Sequence, residues 1–294
     1  MIAFVTSLRH PLNSDDYPRV EALLQDTLRS LTAQDHPDFA VFVVGNKVPG
    51  FPMPDKAHFV TVDFPPPILT RGPRTPRDVF VWDKGTKIGV GLLAARAVAP
   101  DHVMIVDADD FVHRGLAGFV AQHPAAPGWV ITNGYVYSRA RQTFQRQRRF
   151  NRVCGTSHVV RYDAYAVPDR LDAQASQAQV ADGYGERLHH VLGAHHDAVT
   201  WFSDNGMPLA RLPFRGAVYQ VDTGENHSGY SLRGASVPVT HRFERTFGVP
   251  LRDANGERVW QALGPRAVTE RVTDVSRKVV RRVRTATPPR VPGL

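Results

Sequence analysis

The fold is decided by a short stretch in the first half of the chain, residues 103–110, which read VMIVDADD. Four consecutive apolar residues are typical of a strand that is buried on both faces of a parallel sheet. Three carboxylates follow directly, so this strand delivers them together at its carboxyl end. Ligands of open α/β sheets bind at the carboxyl ends of the strands. The stretch therefore predicts an α/β fold with an acidic site at one edge of the sheet.

The surrounding chain alternates between strand patterns and helix patterns. Apolar runs of strand length occur at residues 2–7, 39–44, 59–64 and 129–137. Apolar residues at helical spacing predict helices over residues 20–31 and 87–99, the first capped by Asp15 or Asp16. Residues 65–77 are rich in Pro, Gly and Arg, which predicts a loop. This alternation favours a sheet that grows by crossover connections.

The composition excludes several classes of protein. Hydrophobic residues make up 42% and charged residues 22%, the balance of a globular protein that can bury a core. No apolar run approaches the roughly 18 residues of a membrane-spanning helix. Cys154 is the single cysteine, so an internal disulfide and a zinc ribbon are both excluded. Any bound metal must therefore use oxygen or imidazole ligands.

The net charge of +8 is concentrated at the C-terminal end. Residues 277–294 contain six Lys or Arg and no acid, so the rest of the chain is nearly balanced and nucleic acid is not expected as a partner. Valines at helical spacing over residues 268–284 indicate a basic amphipathic helix, a candidate for peripheral membrane contact. Because residues 1–7 carry no secretory signal pattern, we expect a cytoplasmic protein.

The acidic run Asp107, Asp109 and Asp110 suits a hard divalent cation. Like charges so close together are costly unless a cation neutralises them. Mg²⁺ and Mn²⁺ prefer oxygen ligands, and Mg²⁺ is commonly held by one or two carboxylates together with substrate phosphates. A solvated acidic turn after a buried strand is the alternative interpretation of such a short motif.

Several segments in the same order resemble the GT-A glycosyltransferases, particularly the large family 2 group. Residues 27–34, TLRSLTAQ, followed by residues 39–44, FAVFVV, are similar to that family's first helix and second strand. Residues 104–110, MIVDADD, with Leu116 shortly after, are similar to its metal-binding strand end. The resemblance covers roughly residues 2–230, and the acidic motif is its most specific part.

The resemblance implies the fold, the ligands and the domain organisation. It implies a GT-A fold, with a mostly parallel Rossmann-like sheet flanked by helices, and a catalytic domain over residues 1–240. The donor half would span about residues 1–115 and the acceptor half residues 116–240, and residues 241–294 would form an extension with the basic helix. The expected partners are a nucleotide-sugar donor, a divalent cation (Mn²⁺ or Mg²⁺) and a glycan or lipid-linked acceptor.

The resemblance also implies the residues of a metal site. Asp107 would approach the nucleoside or ribose of the donor, and Asp109 would bind the metal that bridges the diphosphate. Asp110 would be an additional ligand. His227, near the end of the catalytic region, is similar to the C-terminal histidine that often completes this site.

A further group of residues would line the nucleotide pocket. Ser7 stands at the turn after the first strand, and Asp83, Lys84 and Lys87 stand where the family has polar and basic residues facing the nucleotide. Lys87 has an equally good interpretation as a solvated helix residue. Asn46 replaces the acid that commonly reads the nucleobase, and its amide can still hydrogen-bond a base.

The catalytic base is expected in residues 193–197, GAHHD. This stretch, followed by residues 206–209 and 217–220, is similar to the family's Glu-Asp helix and the strand after it. An inverting transfer needs a group that accepts the proton of the attacking acceptor hydroxyl. Because the usual acidic pair has become His-His-Asp, Asp197 and His196 both stay candidates.

Two alternatives belong to other functional classes. A metal-dependent hydrolase would use the acids and the cluster of His189, His190, His195 and His196 to bind zinc or a metal pair and activate water. It would need no nucleotide, and its histidines would have to converge on the metal. A non-catalytic binding protein with the GT-A shape could lose Asp109 without losing its function.

Overall fold

The computed structural model describes residues 1–72, 74–226 and 229–251. The strands in these ranges are β1 (Ile2–Ser7), β2 (Phe39–Gly45), β3 (Ala57–Thr61), β4 (His102–Ile105), β5 (Phe111–Val112), β6 (Gly128–Val130), β7 (Asn133–Ser138), β8 (Thr143–Arg148), β9 (His158–Arg161), β10 (Ala210–Arg211), β11 (Ala217–Val221) and β12 (Val237–Pro238). The α-helices are α1 (Tyr17–Thr32), α2 (Arg77–Ala95), α3 (Leu116–Ala121), α4 (Gln177–Tyr184), α5 (Ala198–Asp204) and α6 (His241–Phe247).

The larger sheet has the strand order β10-β6-β9-β4-β1-β2-β3. Strands β4, β1, β2 and β3 are parallel to one another, and β9 runs antiparallel to both β4 and β6. Helices flank both faces of this sheet. The predicted α/β fold class, with a mostly parallel sheet flanked by helices, is therefore confirmed.

The central strands are apolar throughout because both of their faces are covered. On one face Phe4 packs in a core with Leu24 and Leu28 of α1. On the other face Val5 packs in a second core with Ile88 and Leu92 of α2. All of these side chains are fully buried, which explains the unbroken apolar runs in the sequence.

A smaller sheet, with the order β12-β8-β7-β11-β5, follows the acidic stretch. The prediction of one strand over residues 129–137 is wrong, because the chain crosses from the larger sheet to the smaller one after Val130. Strand β6 pairs with β9 and β10, whereas β7 pairs with β8 and β11. Thr132, Asn133 and Gly134 lie at the crossing and interrupt the apolar run, and Asn133 is exposed, so the sequence carried a signal for the break.

The helix predictions hold for α1 and are partly wrong for α2. Asp16 caps α1 by accepting a hydrogen bond from the Arg19 backbone N–H, and Pro18 lies in the first turn. Helix α2 begins at residue 77, ten residues before its predicted start, and ends at residue 95. The missed first half contains Gly85, a poor helix former that serves packing here, since a Cβ on it would lie 2.8 Å from the Leu188 side chain. The described residues of the predicted loop, up to Pro76, form no helix or strand.

Several predictions concern the C-terminal part of the chain. The basic helix at residues 268–284 and the tail after it lie outside the described residues, so membrane contact and the cytoplasmic location stay predictions. No helix in the described part of the chain has the length and apolar character needed to cross a bilayer. The division at residue 240 also stays a prediction, and α6, just after it, buries Phe243 and Phe247 against the smaller sheet.

Candidate active-site cleft

A cleft of about 500 Å³ opens at the carboxyl ends of β1 and β4. Its walls come from segments that are far apart in sequence: the turn after β1, the first half of α2, the acidic stretch after β4, and three later loops. The lining includes Ser7, Arg9, Arg77, Asp83, Lys84, Asp107, Asp109, Val153, Gly155, His195, His196, Glu225 and Asn226. The acidic stretch thus lies where the sequence predicted a ligand site.

Asp107 is held by groups from two other segments. Lys84 of α2 donates a hydrogen bond to the Asp107 carboxylate. The backbone N–H of Asp107 donates to Thr156 Oγ1 at 2.9 Å. Burial opposes ionisation, but the Lys84 ammonium outweighs it and lowers the pKa of Asp107. The same pair raises the pKa of Lys84 despite its burial. Both groups are therefore charged at neutral pH.

Asp109 has the opposite electrostatic environment. Burial and the neighbouring Asp107 carboxylate raise the pKa of Asp109 to about 7. Asn226 Nδ2 donates to Asp109 Oδ2 at 3.1 Å, and the Arg9 guanidinium only partly offsets the effect of Asp107. A positive charge near Asp109 would favour its ionised form.

Asp110 faces away from the cleft and is fully buried. It accepts hydrogen bonds from the Gln220 backbone N–H at 3.0 Å, from Thr156 Oγ1 at 2.5 Å and from Cys154 Sγ at 3.0 Å. Burial, and then the Asp109 and Asp107 charges, raise the pKa of Asp110 well above its usual value. These contacts make Asp110 an anchor between the acidic stretch, β11 and residues 154–156.

Two sets of side chains near the acidic stretch could hold a metal ion. Asp107, Asp110 and Cys154 offer ligand atoms within 4.8 Å of one another, and this group could hold an ion. However, burial and the Asp110 carboxylate raise the pKa of the Cys154 thiol, so it is protonated and donates to Asp110. The donors that face the cleft are the carboxylates of Asp107 and Asp109, which fit a hard divalent cation. The other predicted ligand, His227, lies outside the described residues.

The predicted nucleotide residues divide into cleft residues and supporting residues. Ser7 and Asp83 line the cleft. Lys87 does not line it: its ammonium is fully buried and donates to the Leu8 carbonyl at 3.0 Å and to Asp83 Oδ2 at 2.9 Å. The interpretation of Lys87 as a solvated helix residue is therefore wrong. Lys87 holds the turn after β1 and the Asp83 carboxylate in place.

Asn46 does not line the cleft, and like Lys87 it supports the fold. Its Nδ2 donates to the backbone carbonyls of Val62 at 3.2 Å and Phe64 at 2.7 Å. These bonds tie the end of β2 to the chain that follows β3. Asn46 was expected to bind a nucleobase through its amide, and the nitrogen of that amide is engaged by backbone carbonyls instead.

The two candidates for the catalytic base are separated by the structure. His196 lines the cleft, where burial and then the Arg77 charge lower the pKa of its imidazole. Asp197 does not line the cleft. Its side chain is 68% exposed, and its carboxylate lies 3.5 Å from His190 Nδ1. The His190 ring in turn stacks on Trp201.

From the sequence, His195 was considered only as part of the histidine cluster of the hydrolase alternative, and the structure places it in the cleft lining. Its Nε2 is buried and has no hydrogen-bond partner among the described residues. Burial, and then the Lys84 charge, lower the pKa of His195 to about 3. His195 is therefore a neutral imidazole beside the Lys84–Asp107 pair.

Arg9 and Glu225 are also site residues that were not recognised from the sequence. Arg9 Nη1 lies 3.2 Å from Glu225 Oε2, and Glu225 Oε1 accepts a hydrogen bond from the Asp16 backbone N–H at 3.1 Å. These contacts bring residues 223–226 over the acidic stretch. The position of Arg9, just after the first strand and at the same sheet edge as Asp107, was a signal that could have identified it.

Comparisons with known proteins give a distant likeness only. No family model matches the chain, and no curated protein matches it. Among solved structures, the crystal structure of S. aureus TarS 1–349 matches with 12% identity and a TM-score of 0.37, over 74% of this chain and 60% of that chain. The same protein in complex with UDP-GlcNAc matches with 14% identity and a TM-score of 0.38, over 79% and 62%. This chain thus covers about three fifths of those chains, and the likeness at this level assigns neither a family nor an activity.

Proposed function

We propose that this protein is a GT-A-type glycosyltransferase that moves a sugar from a nucleotide-diphosphate sugar to a glycan or lipid-linked acceptor, with inversion and with the help of Mn²⁺ or Mg²⁺. One observation carries the proposal. Asp107 and Asp109 both face a cleft at the carboxyl end of a central parallel strand, and cationic side chains from two other segments, Lys84 and Arg9, lie beside them.

The donor fits this arrangement by charge and by size. Asp109, with Asp107 beside it, would hold the divalent cation, which would stabilise the negative charge that develops on the leaving diphosphate. Arg77 lines the same cleft and can pair with phosphate oxygens. A cleft of about 500 Å³ has the size of typical ligand sites, and Ser7 would lie beside the nucleoside.

His196 is the better candidate for the base. In the proposed step the acceptor hydroxyl oxygen attacks the anomeric carbon, the bond from that carbon to the diphosphate oxygen breaks, and the hydroxyl proton passes to the base. His196 lies in the cleft, and its lowered pKa leaves the imidazole free to accept a proton at neutral pH. The Asp197 carboxylate would first have to leave His190 and enter the cleft.

The hydrolase alternative is less well supported. Its histidines would have to converge on a metal, but the group of candidate ligands in the described part of the chain, Asp107, Asp110 and Cys154, includes no histidine. His190 is engaged with Asp197 and Trp201 instead. A purely structural protein would also have no need for the costly pair of like charges at Asp107 and Asp109.

A thermal-shift screen tests the proposal, because a ligand that binds only the folded state raises the melting temperature. The screen would use nucleoside diphosphates and their sugar conjugates, each with and without Mn²⁺ or Mg²⁺. We expect one nucleotide to stabilise the wild type in a metal-dependent way and to lose this effect in Asp109→Asn. Asp182→Asn, at an exposed position of α4, is the matched control. Stabilisation by Zn²⁺ alone, with no response to any nucleotide, would favour the hydrolase.

A further inference from the structure

Residues 139–152, RARQTFQRQRRFNR, contain six arginines and no acid. Two of the six are half-buried and are held by other segments of the fold. Arg139 forms an ion pair with Asp26 at 2.7 Å, and Arg141 donates to the backbone carbonyls of Leu232 and Gly234. The other four are at least partly exposed, and we refer to Arg146, Arg148, Arg149 and Arg152 as the arginine strip. None of the four forms an ion pair with an acid in the described part of the chain.

The arginine strip lies along an open edge of the smaller sheet. Strand β8 pairs with β7 on one side, and among the described residues β12 pairs with its other side only at Thr143 and Phe144. Side chains of a strand alternate between faces, so Arg146 and Arg148 share one face and lie about 7 Å apart. Tyr135 of β7 is directly opposite Arg146, and the Arg215 guanidinium lies 5.4 Å from the Tyr135 ring centroid. A fifth cation therefore adjoins the strip.

The strip leads directly to the cleft. At Arg149 the chain turns, with a left-handed φ of 52°, into a short 3-10 helix that ends at Arg152. Arg152 Nη1 donates to the backbone carbonyl of His196, a cleft residue, at 3.3 Å. The next residue, Val153, lines the cleft, and Gly155 lies against the Asp107 carboxylate. From Arg152 to Gly155 the chain can span at most about 10 Å.

We propose that the arginine strip binds the acceptor, and that this acceptor is an extended polymer with repeated anionic groups, phosphate or carboxylate. This inference rests on the proposed function, since it concerns what enters the same cleft. Guanidinium groups bind carboxylate and phosphate through paired hydrogen bonds, and a row of them matches a chain that carries repeated negative charges. The polymer would run along β8 and present a hydroxyl at His196.

Other occupants of a cationic surface fit less well. A membrane-binding face needs exposed apolar residues beside the cations, whereas Tyr135 and Phe144, which share the face of Arg146, pack against Phe243 of α6. Binding of single-stranded nucleic acid needs open aromatic faces for stacking, and the Tyr135 ring is approached by Arg215. Charged residues on an edge strand can also serve only to prevent sheet-to-sheet association.

The test measures polymer binding by fluorescence anisotropy with the full chain. The labelled probes are polyphosphate and alginate as anionic polymers, dextran as a neutral one, and single-stranded DNA; vesicles containing phosphatidylglycerol are tested by co-sedimentation. The variant is Arg146→Gln with Arg148→Gln. The control, Arg170→Gln with Arg211→Gln, removes the same charge at exposed positions, one of them in the edge strand β10. Both variants should keep the wild-type melting temperature.

We expect polyphosphate, alginate or both to bind, dextran not to bind, and the strip variant to bind at least about tenfold more weakly than the control, because charge-assisted hydrogen bonds are lost. Equal binding of dextran, or unchanged affinity in the strip variant, would overturn the proposal. The proposal would also be overturned if the strip variant lost affinity only for DNA or vesicles. It would equally be overturned if the strip variant self-associated while its polymer affinity stayed unchanged. The nucleotide thermal shift separates this inference from the proposed function: if the shift persists without polymer binding, only the inference fails.

Discussion

The Lys84 ammonium and the Asp107 carboxylate form an ion pair between helix α2 and the end of strand β4. Gly155 lies against the same carboxylate, since a Cβ on this residue would be 2.8 Å from Asp107 Oδ2 and 3.3 Å from Lys84 Nζ. Three segments thus meet at one carboxylate. Its charge is neutralised by protein, whereas that of Asp109 is not, and this difference separates the roles of the two acids.

Replacement of Lys84 should destabilise the protein more than loss of an ordinary surface pair. Lys84→Met leaves the mostly buried Asp107 carboxylate without its partner, and breaking a buried pair from one side typically costs about 3–5 kcal/mol. Lys84→Arg keeps the charge and should recover part of this loss. Urea unfolding at pH 7.5 measures both. A decrease below about 1 kcal/mol in Lys84→Met would mean that the pair behaves as an exposed one.

Gly155→Ala should impair ligand binding through the position of Asp107. The added methyl group would push the carboxylate away from Lys84, because atoms of both side chains lie within 3.3 Å of the point that the new Cβ would occupy. We expect the metal-dependent nucleotide stabilisation to fall sharply in a thermal-shift assay.

Gly118→Ala is the control for this change. A Cβ at this position of α3 would meet neighbours at 3.5 Å and beyond, an ordinary contact distance. Alanine is also favoured over glycine in a helix by up to about 1 kcal/mol. The control should therefore bind as the wild type does and be equally or more stable. Wild-type nucleotide binding by Gly155→Ala would show that the Asp107 position is not critical.

The two candidates for the base predict different kinetics. His196→Ala should lower transfer by about 10²–10⁴-fold, the usual contribution of general base catalysis, with little change in nucleotide binding. Asp197→Asn should have a small effect, because the Asp197 carboxylate is exposed and lies near His190 rather than in the cleft. Release of the nucleoside diphosphate, from the donor that stabilises the protein, is the measurement. The reverse ranking would assign the base to Asp197.

The sequence predicted those parts of the fold whose burial pattern is local. Strands β1, β2 and β4 are buried on both faces, so their apolar runs and the acids after β4 could be identified directly. The crossing between sheets after Val130 was missed although Thr132, Asn133 and Gly134 interrupt the apolar run there, because such an interruption does not indicate that the two halves join different sheets. The same limit applies to Lys87, whose buried ammonium depends on the Leu8 carbonyl, 79 residues away in sequence.

The candidate site was predicted to a similar extent. Its location followed from the rule that ligands bind at the carboxyl ends of parallel strands. The contribution of residues 223–226 could not be predicted in this way. The contact between Arg9 and Glu225 joins residues 216 positions apart, and no sequence pattern indicates it. The roles of His195, His196 and Asp197 depend on which way each side chain of one short loop points, which spacing alone does not define.

His158 should make stability depend on pH. Its ring is buried, and burial lowers the pKa of His158 to about 4 from an unfolded value near 6.5. The folded state therefore holds the neutral imidazole, and the unfolded state binds the extra proton. This contribution to stability is fully present above pH 6.5 and is lost as the pH falls towards 4.

The corresponding experiment compares His158→Gln with the wild type. Between pH 7.5 and pH 5 the wild type should lose about 2 kcal/mol more of its unfolding free energy than the variant does, as measured by urea unfolding. His189→Gln removes an exposed histidine and should keep the wild-type pH dependence. Identical pH profiles for the wild type and His158→Gln would contradict a neutral buried imidazole at this position.

Asp109→Asn should separate stability from function. Without a bound cation, the half-buried Asp109 carboxylate is partly desolvated and lies beside the charged Asp107, and these two effects raise its pKa to about 7. At pH 8 its ionisation therefore opposes folding, by an amount on the order of a few kcal/mol. Asparagine has nearly the same shape, carries no charge and can still accept the hydrogen bond from Asn226 through its carbonyl oxygen.

We therefore expect metal-free Asp109→Asn to melt at a higher temperature than the metal-free wild type at pH 8. Addition of Mn²⁺ with the nucleotide should reverse the order, because only the wild type can bind the cation through this carboxylate. Asp182→Asn should leave both comparisons unchanged. Asp109→Asn could instead be less stable than the wild type in the presence of a chelator. That result would mean that the Asp109 carboxylate stabilises the fold through its contacts with Asn226 and Arg9. The proposal that Asp109 binds the metal would then lose its electrostatic support.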